Sequence, residues 1–347
     1  MPAVKPGSLV LVTGASGYIA AHTVDVLLQR GFNVRGTVRS QSKGEYISNL
    51  FKNAPAKFEY AIVGDIAQDG AFDDAVKGVD AVAHMASPYH FDAVEPAELF
   101  EPAEKGTLGV LKSLKKFNPS CKRVVVTSSV AAIVNSDLPQ PHTFTEADWN
   151  PVSLKVCAEK GRDADGVNKY RGSKTLAEKA FWKFFEDETP SFDGVAINPP
   201  LVLGPIIHEC ATPESLNTSV ANFYDWMIGK KTQDDLPAPG GNYVDVRDCA
   251  IGHVQALVVE EAAGERFITG NGAYNGNDFV LSIAKTYPDI KGVPKGNPDP
   301  AYRQKLRDDY NYFDGSKATK VLGVQYRPQD ETFGDMAKSL RERFGSS

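Results

Sequence analysis

Cysteine is scarce in this chain of 347 residues: Cys121, Cys157, Cys210 and Cys249 lie far apart, with no CxxC pair and no Cys/His cluster. That scatter excludes a disulfide framework and argues against a metal centre; free thiols in a reducing compartment are the simple reading. No apolar run reaches the roughly 18 residues of a membrane-spanning helix. The segment Met1–Ser8 lacks the apolar core of a secretory signal. An excess of cations is absent too. Lys and Arg number 38 against 44 Asp and Glu, and a net charge of -6 offers no field for nucleic acid or an anionic membrane. The expectation is a cytoplasmic protein, monomer or homodimer, whose partner is a small molecule.

What is present is an alternation of short apolar runs with helical periodicity. Leu9–Thr13, Asn33–Val38, Phe58–Val63, Val79–Met85 and Arg123–Thr127 read as strands, followed later by Gly194–Asn198 and a strand at Tyr243–Val244. Helical patterns lie between them, notably Ile19–Leu28, Ala97–Phe117 and about Lys169–Glu188, and Asp245 opens another. Such runs imply parallel strands covered on both faces, a doubly wound α/β sheet of Rossmann type. The stretch from Ser136 to Asp165 reads as a long loop. Residues 1–200, with 240–270 returning to them, are expected to form a nucleotide-binding domain. Residues 201–240 and 271–347, rich in Pro, Gly and Asn, are expected to build a smaller C-terminal substrate lobe.

Directly after the first strand stands Gly14-Ala15-Ser16-Gly17-Tyr18-Ile19-Ala20, which also opens the first helix. Gly14 suits a tight turn, Gly17 allows backbone to approach a pyrophosphate, and Ala20 permits close packing of helix on strand. The helix N-terminus adds unpaired N–H groups and a positive dipole end. The second strand ends at Val38 and is followed by Arg39, with Lys43 four residues on and no acid between Arg35 and Gly44. An acid there would bond a ribose 2′-hydroxyl, whereas cations fit a 2′-phosphate, so NADPH is expected over NADH. Asp65, after the third strand, can accept from an adenine amino group or simply cap the next turn. Ala86 and Ser87, ending the fourth strand, should pass beside the ribose and nicotinamide.

Tyr170 and Lys174 are four residues apart on a predicted helix and so share a face. A nearby ammonium favours phenolate and lowers a tyrosine pKa that is ordinarily about 10. Taken alone, Y-x-x-x-K is common, and a surface pair is the plain alternative. Its position after the fifth strand of a nucleotide-binding pattern gives it weight. Ser128 and Ser129 end that strand, where a hydroxyl can reach a substrate carbonyl. Ser129 is assigned that role, and Ser128 a structural one.

Together with Val34-Arg35-Gly36-Thr37-Val38-Arg39-Ser40, Asn198-Pro199-Pro200-Leu201-Val202-Leu203-Gly204-Pro205, Leu216-Asn217-Thr218-Ser219 and Val244-Asp245-Val246-Arg247-Asp248, these motifs resemble the extended short-chain dehydrogenases/reductases. The likeness runs from Ser8 almost to the C-terminus. It points to fungal NADPH-dependent aldehyde and ketone reductases of the methylglyoxal reductase type, relatives of dihydroflavonol reductases. The resemblance implies a catalytic triad of Ser129, Tyr170 and Lys174, with Tyr170 protonating a carbonyl oxygen as the nicotinamide delivers hydride. It also implies cofactor contacts from Gly14, Ala15, Ser16, Gly17, Tyr18, Ile19, Arg39, Lys43, Asp65, Ile66, Val202 and Ser219.

By position, Tyr89, Phe91, Val130, Leu201 and Trp226 are candidates to line the substrate pocket, making an apolar wall suited to aldehydes and ketones. Two rivals stay open. One is an NAD-dependent sugar-nucleotide epimerase or dehydratase, and the other a non-catalytic NADP-binding regulator on the same fold.

Overall fold

The computed structural model describes residues 3–87, 93–238 and 240–345. Its strands are β1 (Leu9–Thr13), β2 (Asn33–Val38), β3 (Phe58–Ile62), β4 (Ala81–His84), β5 (Arg123–Thr127), β6 (Thr143–Phe144), β7 (Asp193–Asn198), β8 (Leu201–Leu203), β9 (Gly241–Asp245), β10 (Arg266–Ile268), β11 (Ala273–Tyr274) and β12 (Tyr312–Phe313). The helices are α1 (Tyr18–Gln29), α2 (Gln41–Leu50), α3 (Ala97–Phe117), α4 (Val152–Lys160), α5 (Gly166–Glu188), α6 (Thr218–Met227), α7 (Val246–Val258), α8 (Gly276–Thr286), α9 (Pro300–Asp308), α10 (Ser316–Leu322) and α11 (Gln329–Phe344).

Seven parallel strands form the main sheet in the order β10-β7-β5-β4-β1-β2-β3. Strand order reverses between β1 and β4, which opens a crevice at their carboxyl ends. The inner strands are apolar on both faces because helices cover both. Val10, Val12, Val34 and Val125 face one core, while Leu11, Val82, Val124 and Val126 face the other. On the first side α1 buries Ala20, Ala21, Val24, Leu27 and Leu28, a helical stripe that packs against α7, and Gly31 (φ 81°) turns the chain into β2. On the second side α3 and α5 pack together within the chain. They approach closely at Gly172, where a Cβ would come within 2.6 Å of the Phe100 ring.

A second core gathers Phe223, Trp226, Tyr243, Phe279 and Phe333 around the small sheet β11-β9-β8. Asp278, buried at the first turn of α8, takes guanidinium bonds from Arg303 and Arg307, and so fastens α9, which buries no residue of its own.

Two sequence expectations need correction. The stretch 136–165 is no plain loop: it holds β6, which pairs with β12, and α4. Asn150 begins α4 by accepting the Ser153 amide at 3.0 Å, a local cap within a stretch whose composition resembles a loop. In addition, α10 was assigned to the smaller lobe, yet Ala318, Leu322 and Val324 pack into the core beneath the main sheet, against β10 and α7.

Candidate functional site

The carboxyl ends of β1 and β4 are joined by one hydroxyl. Thr13 Oγ1 accepts the amides of Met85 at 2.9 Å and Ala86 at 3.0 Å, and lies 3.0 Å from His84 Nδ1. With both acceptances made, the threonine proton goes to Nδ1, which leaves the ring proton on Nε2. Burial, reinforced by the Lys174 charge, pushes His84 down to about 3, so the ring is neutral.

Gly14 follows in the left-handed region (φ 65°), and any Cβ there would stand 3.1 Å from Ala86 Cα. A side chain would therefore strain the backbone and fill the crevice at once. The turn is held from β2 as well. The Gly14 amide donates to Thr37 Oγ1 and the Ala15 amide to Thr37 O, while at Gly36 a Cβ would meet Ala15 Cβ at 2.7 Å. Because its amide is spent on Thr37, Ala15 serves the turn from within the core. α1 then starts at an N-cap, Gly17, that has no side chain to satisfy the first-turn amides.

Two cavities flank this turn. One, of about 280 Å³, is lined by Ser16, Arg39, Lys43, Ile66, Ala86 and Ser87, among others. Arg39 is exposed and makes no ion pair or hydrogen bond among the described residues. Lys43, by contrast, is paired with Glu209 at 3.0 Å. No acid near Arg39 in sequence foretold this carboxylate, which arrives from beyond β8. The second cavity, of about 260 Å³, brings Gly14, Gly17, Ile19, Val202 and Ser219 to the same space as Ser129, Tyr170 and Lys174.

The two serines after β5 diverge. Ser128 is buried and donates to Glu178. Ser129 begins a short 3-10 turn, accepting the Ala131 amide at 3.1 Å and donating to Pro199 O at 3.4 Å. Its hydroxyl lines the cavity together with Tyr170. One turn along α5 from Tyr170, Lys174 is buried, and its Nζ donates to Ser87 Oγ at 3.1 Å. Burial pushes this ammonium down to about 8, opposed by the negative charge of Glu178.

The remaining predicted residues divide. Asp65 is exposed, and its Oδ1 accepts the Ala67 amide at 2.9 Å, the capping alternative; the neighbouring Val63 and Ile66 line the cavity. Tyr18 is buried and donates to Gly204 O at 2.8 Å, which ties α1 to the smaller sheet. Ser219 accepts from Asn217 Nδ2 at 2.7 Å. Val130 and Leu201 line a third cavity, of about 490 Å³, which shares Ser129 and Tyr170 with the second. Trp226 does not belong to the pocket. It is 1% exposed in the second core, with its ring packed beside Gly276, because α6 turns that face toward α8. Tyr89 and Phe91 lie outside the described residues.

Sequence reasoning missed Glu178. Fully buried, it accepts from Ser128, from Asn198 at 2.8 Å, from Trp182 at 3.3 Å and from Arg266 at 2.6 Å; the Arg266 guanidinium is itself stacked 3.8 Å over the Trp149 ring. The available signal was spacing, since Tyr170, Lys174 and Glu178 follow at intervals of four.

The family model for the NAD dependent epimerase/dehydratase family matches residues 10–270. A ketoreductase of Aspergillus niger is 38% identical over 96% of this chain and 98% of its own length. An NADPH-dependent methylglyoxal reductase of Saccharomyces cerevisiae is 35% identical over 95% and 97%. The crystal structure of yeast methylglyoxal/isovaleraldehyde reductase complexed with NADPH superposes with a TM-score of 0.86 at 35% identity, covering 96% of this chain and 98% of that one. A Candida albicans relative, also in complex with NADPH, gives 0.87 at 33% identity, covering 97% and 99%. With a doubly wound sheet, a glycine turn at its switch point and relatives matched nearly end to end, this chain is a member of the NAD dependent epimerase/dehydratase family, in the extended short-chain dehydrogenase/reductase branch.

Proposed function

We propose that this protein reduces aldehyde or ketone carbonyls to alcohols with NADPH. The observation that carries the reading is one cavity lined at once by the glycine turn and by Ser129, Tyr170 and Lys174. The chain's own features fit the cofactor: a cradle that a Cβ at Gly14 would fill, an uncapped helix N-terminus for phosphates, and Arg39 beside Lys43 for a 2′-phosphate. NADPH, when bound, supplies hydride to the carbonyl carbon.

The rest of the chemistry falls to side chains. Ser129 donates a hydrogen bond to the carbonyl oxygen and stabilises its growing negative charge. Tyr170 transfers its phenolic proton to that oxygen. Lys174, charged and desolvated one turn from Tyr170, assists the loss of the phenolic proton, and its Nζ, beside Ser87, would also bond a ribose hydroxyl. Ser128 stays with Glu178 and supports the floor beneath the lysine. Arg39 reads the 2′-phosphate and so selects NADPH over NADH. The four cysteines are free and buried, which fits a reducing compartment such as the cytoplasm.

The test is a carbonyl panel assayed with NADPH and NADH, for the wild-type chain and for Tyr170→Phe. NADPH oxidation with simple aldehydes is expected, with kcat reduced by about 10²-fold or more in the variant, the scale of a lost general acid. NAD(H) retained through purification, with no turnover on the panel, would instead favour an epimerase or dehydratase. NADPH binding without turnover would favour a regulator.

A further inference from the structure

The third cavity, of about 490 Å³, opens from Ser129 and Tyr170 away from the glycine turn, and on the reductase reading it receives the body of the substrate. One wall is apolar, formed by Val130, Val134, Val167 and Phe313. The other carries a cation. Arg171, the residue after Tyr170 on α5, is partly buried and makes no ion pair or hydrogen bond through its guanidinium among the described residues. Beyond the helix's own backbone bonds, its carbonyl accepts Thr175 Oγ1. Burial alone pushes it below the usual arginine range, with the Asp165 charge opposing. An unpaired guanidinium in a partly desolvated wall is unfavourable unless something negative meets it.

The polar neighbours strengthen this picture. Tyr310 Oη accepts the Gly240 amide at 3.1 Å, which leaves the phenol proton to donate elsewhere. Asn242 is anchored at both ends, its Nδ2 donating to Asn311 O and its Oδ1 accepting the Phe313 amide. Asn311 Oδ1 is taken by the His142 amide at 2.8 Å, which leaves its NH₂ as the free end. Arg171, the Tyr310 hydroxyl and the Asn311 NH₂ therefore all offer donors at this wall. The acid among the lining residues, Asp309, is exposed at the rim, makes no ion pair among the described residues, and is screened by water. None of these residues lines the cavities around Gly14, so this positive charge is not needed for the cofactor's phosphates.

We propose that Arg171, with the Tyr310 hydroxyl and the Asn311 amide, forms an anion subsite that selects carbonyl substrates bearing a carboxylate, that is, oxo acids, over their neutral counterparts. The carbonyl lies at Ser129 and Tyr170, its carbon gaining hydride as NADPH is oxidised and its oxygen gaining the Tyr170 proton. The carboxylate takes no part in the bond changes and is held at Arg171.

The experiment compares 2-, 3-, 4- and 5-oxo acids with their methyl esters, using NADPH, wild-type chain and Arg171→Gln. For at least one chain length the acid should exceed its ester in kcat/KM by about tenfold or more, the scale of one charge-assisted hydrogen-bonded pair. The acid-to-ester ratio should collapse toward one in Arg171→Gln, and Arg171→Lys should recover part of it. Esters matching or surpassing every acid in the wild type, or an equal loss on both in Arg171→Gln, would overturn the proposal. Should no carbonyl compound be reduced at all, the reductase reading fails separately. Calorimetric titration with pentanoate against pentanamide then decides the subsite: pentanoate binding lost in Arg171→Gln supports it, and absence of pentanoate binding to the wild type refutes it.

Discussion

Replacing Lys174 by methionine should stabilise the cofactor-free protein while destroying its activity. The ammonium is buried, and burial lowers its pKa from 10.5 to about 8. Keeping it charged at neutral pH therefore costs the folded state about 3 kcal/mol relative to the unfolded chain. Methionine fills similar volume without the charge, so most of that cost is recovered, less the modest bond to Ser87. Unfolding entropy of roughly 2 cal/mol/K per residue makes the gain about 4 °C in Tm for a chain of this length. The pH dependence is the sharper test. Because the folded value lies below the unfolded one, the destabilisation is complete below about pH 8. It shrinks as pH rises toward 10.5 and is gone above that. The Tm gap between Lys174→Met and wild type should accordingly be widest near pH 7 and shrink to about a quarter of that by pH 10. Thermal unfolding followed by fluorescence at pH 7, 8.5 and 10, without NADPH, measures it, and groups titrating in both proteins cancel in the difference. A variant that melts lower than wild type at pH 7, or a gap that ignores pH, would refute the claim that this lysine is held against its solvation preference.

Arg39→Ala should raise the KM for NADPH by about tenfold or more while leaving that for NADH nearly unmoved, since the lost bond is to the phosphate alone; steady-state kinetics with both cofactors checks it. Glu178→Gln keeps the hydrogen-bonding shape but leaves the Arg266 charge uncompensated in the core, and should cost about 3–5 kcal/mol in denaturant unfolding. The same variant removes the negative charge that holds the Lys174 pKa up, so the alkaline limb of its pH–rate profile should move to lower pH, a change that damage to folding alone would not produce. In the wild type that alkaline limb should fall above about pH 8.

Most of the sheet was readable because those strands are decided locally, whereas β10, a three-residue strand at the sheet edge, gave no such run and was missed. β1, β2 and β5 are short runs of β-branched and apolar residues ended by glycine, serine or a charge, and the observed bounds match those expected from the runs. The same holds for α3, whose apolar stripe ends at Phe117. α4 was not readable, since its short mix of apolar and polar residues sits in a stretch rich in Pro, Asp and Lys, and its stability comes from one asparagine cap and from packing against α5. Trp226 shows the opposite failure. Its position suggested a place in the pocket wall, but an aromatic on an amphipathic helix is settled by which face meets the core, and that depends on α8, some fifty residues later.

Charges at the site were the hardest to foresee, because their partners are chosen by the fold. The stretch from Arg35 to Gly44 has a Glu-free sequence, yet Glu209 reaches Lys43 across the crevice. The consequence is unequal cations. Lys43 must exchange a carboxylate for a phosphate, whereas Arg39 has no bond to give up among the described residues, so Arg39 should carry the larger share of NADPH selectivity. The α5 face makes the same point at depth. Tyr170, Lys174 and Glu178 rise at intervals of four, and any helical wheel aligns them. Only the arrival of Arg266 from β10 and Asn198 from β7 shows that the third is a buried anion. That anion faces the lysine from below while its own charge is balanced from the far side. On the proposed mechanism, a single helix thereby carries the proton donor, the ammonium that tunes it, and the carboxylate that keeps the ammonium charged, with the sheet edge supplying the neutralising guanidinium.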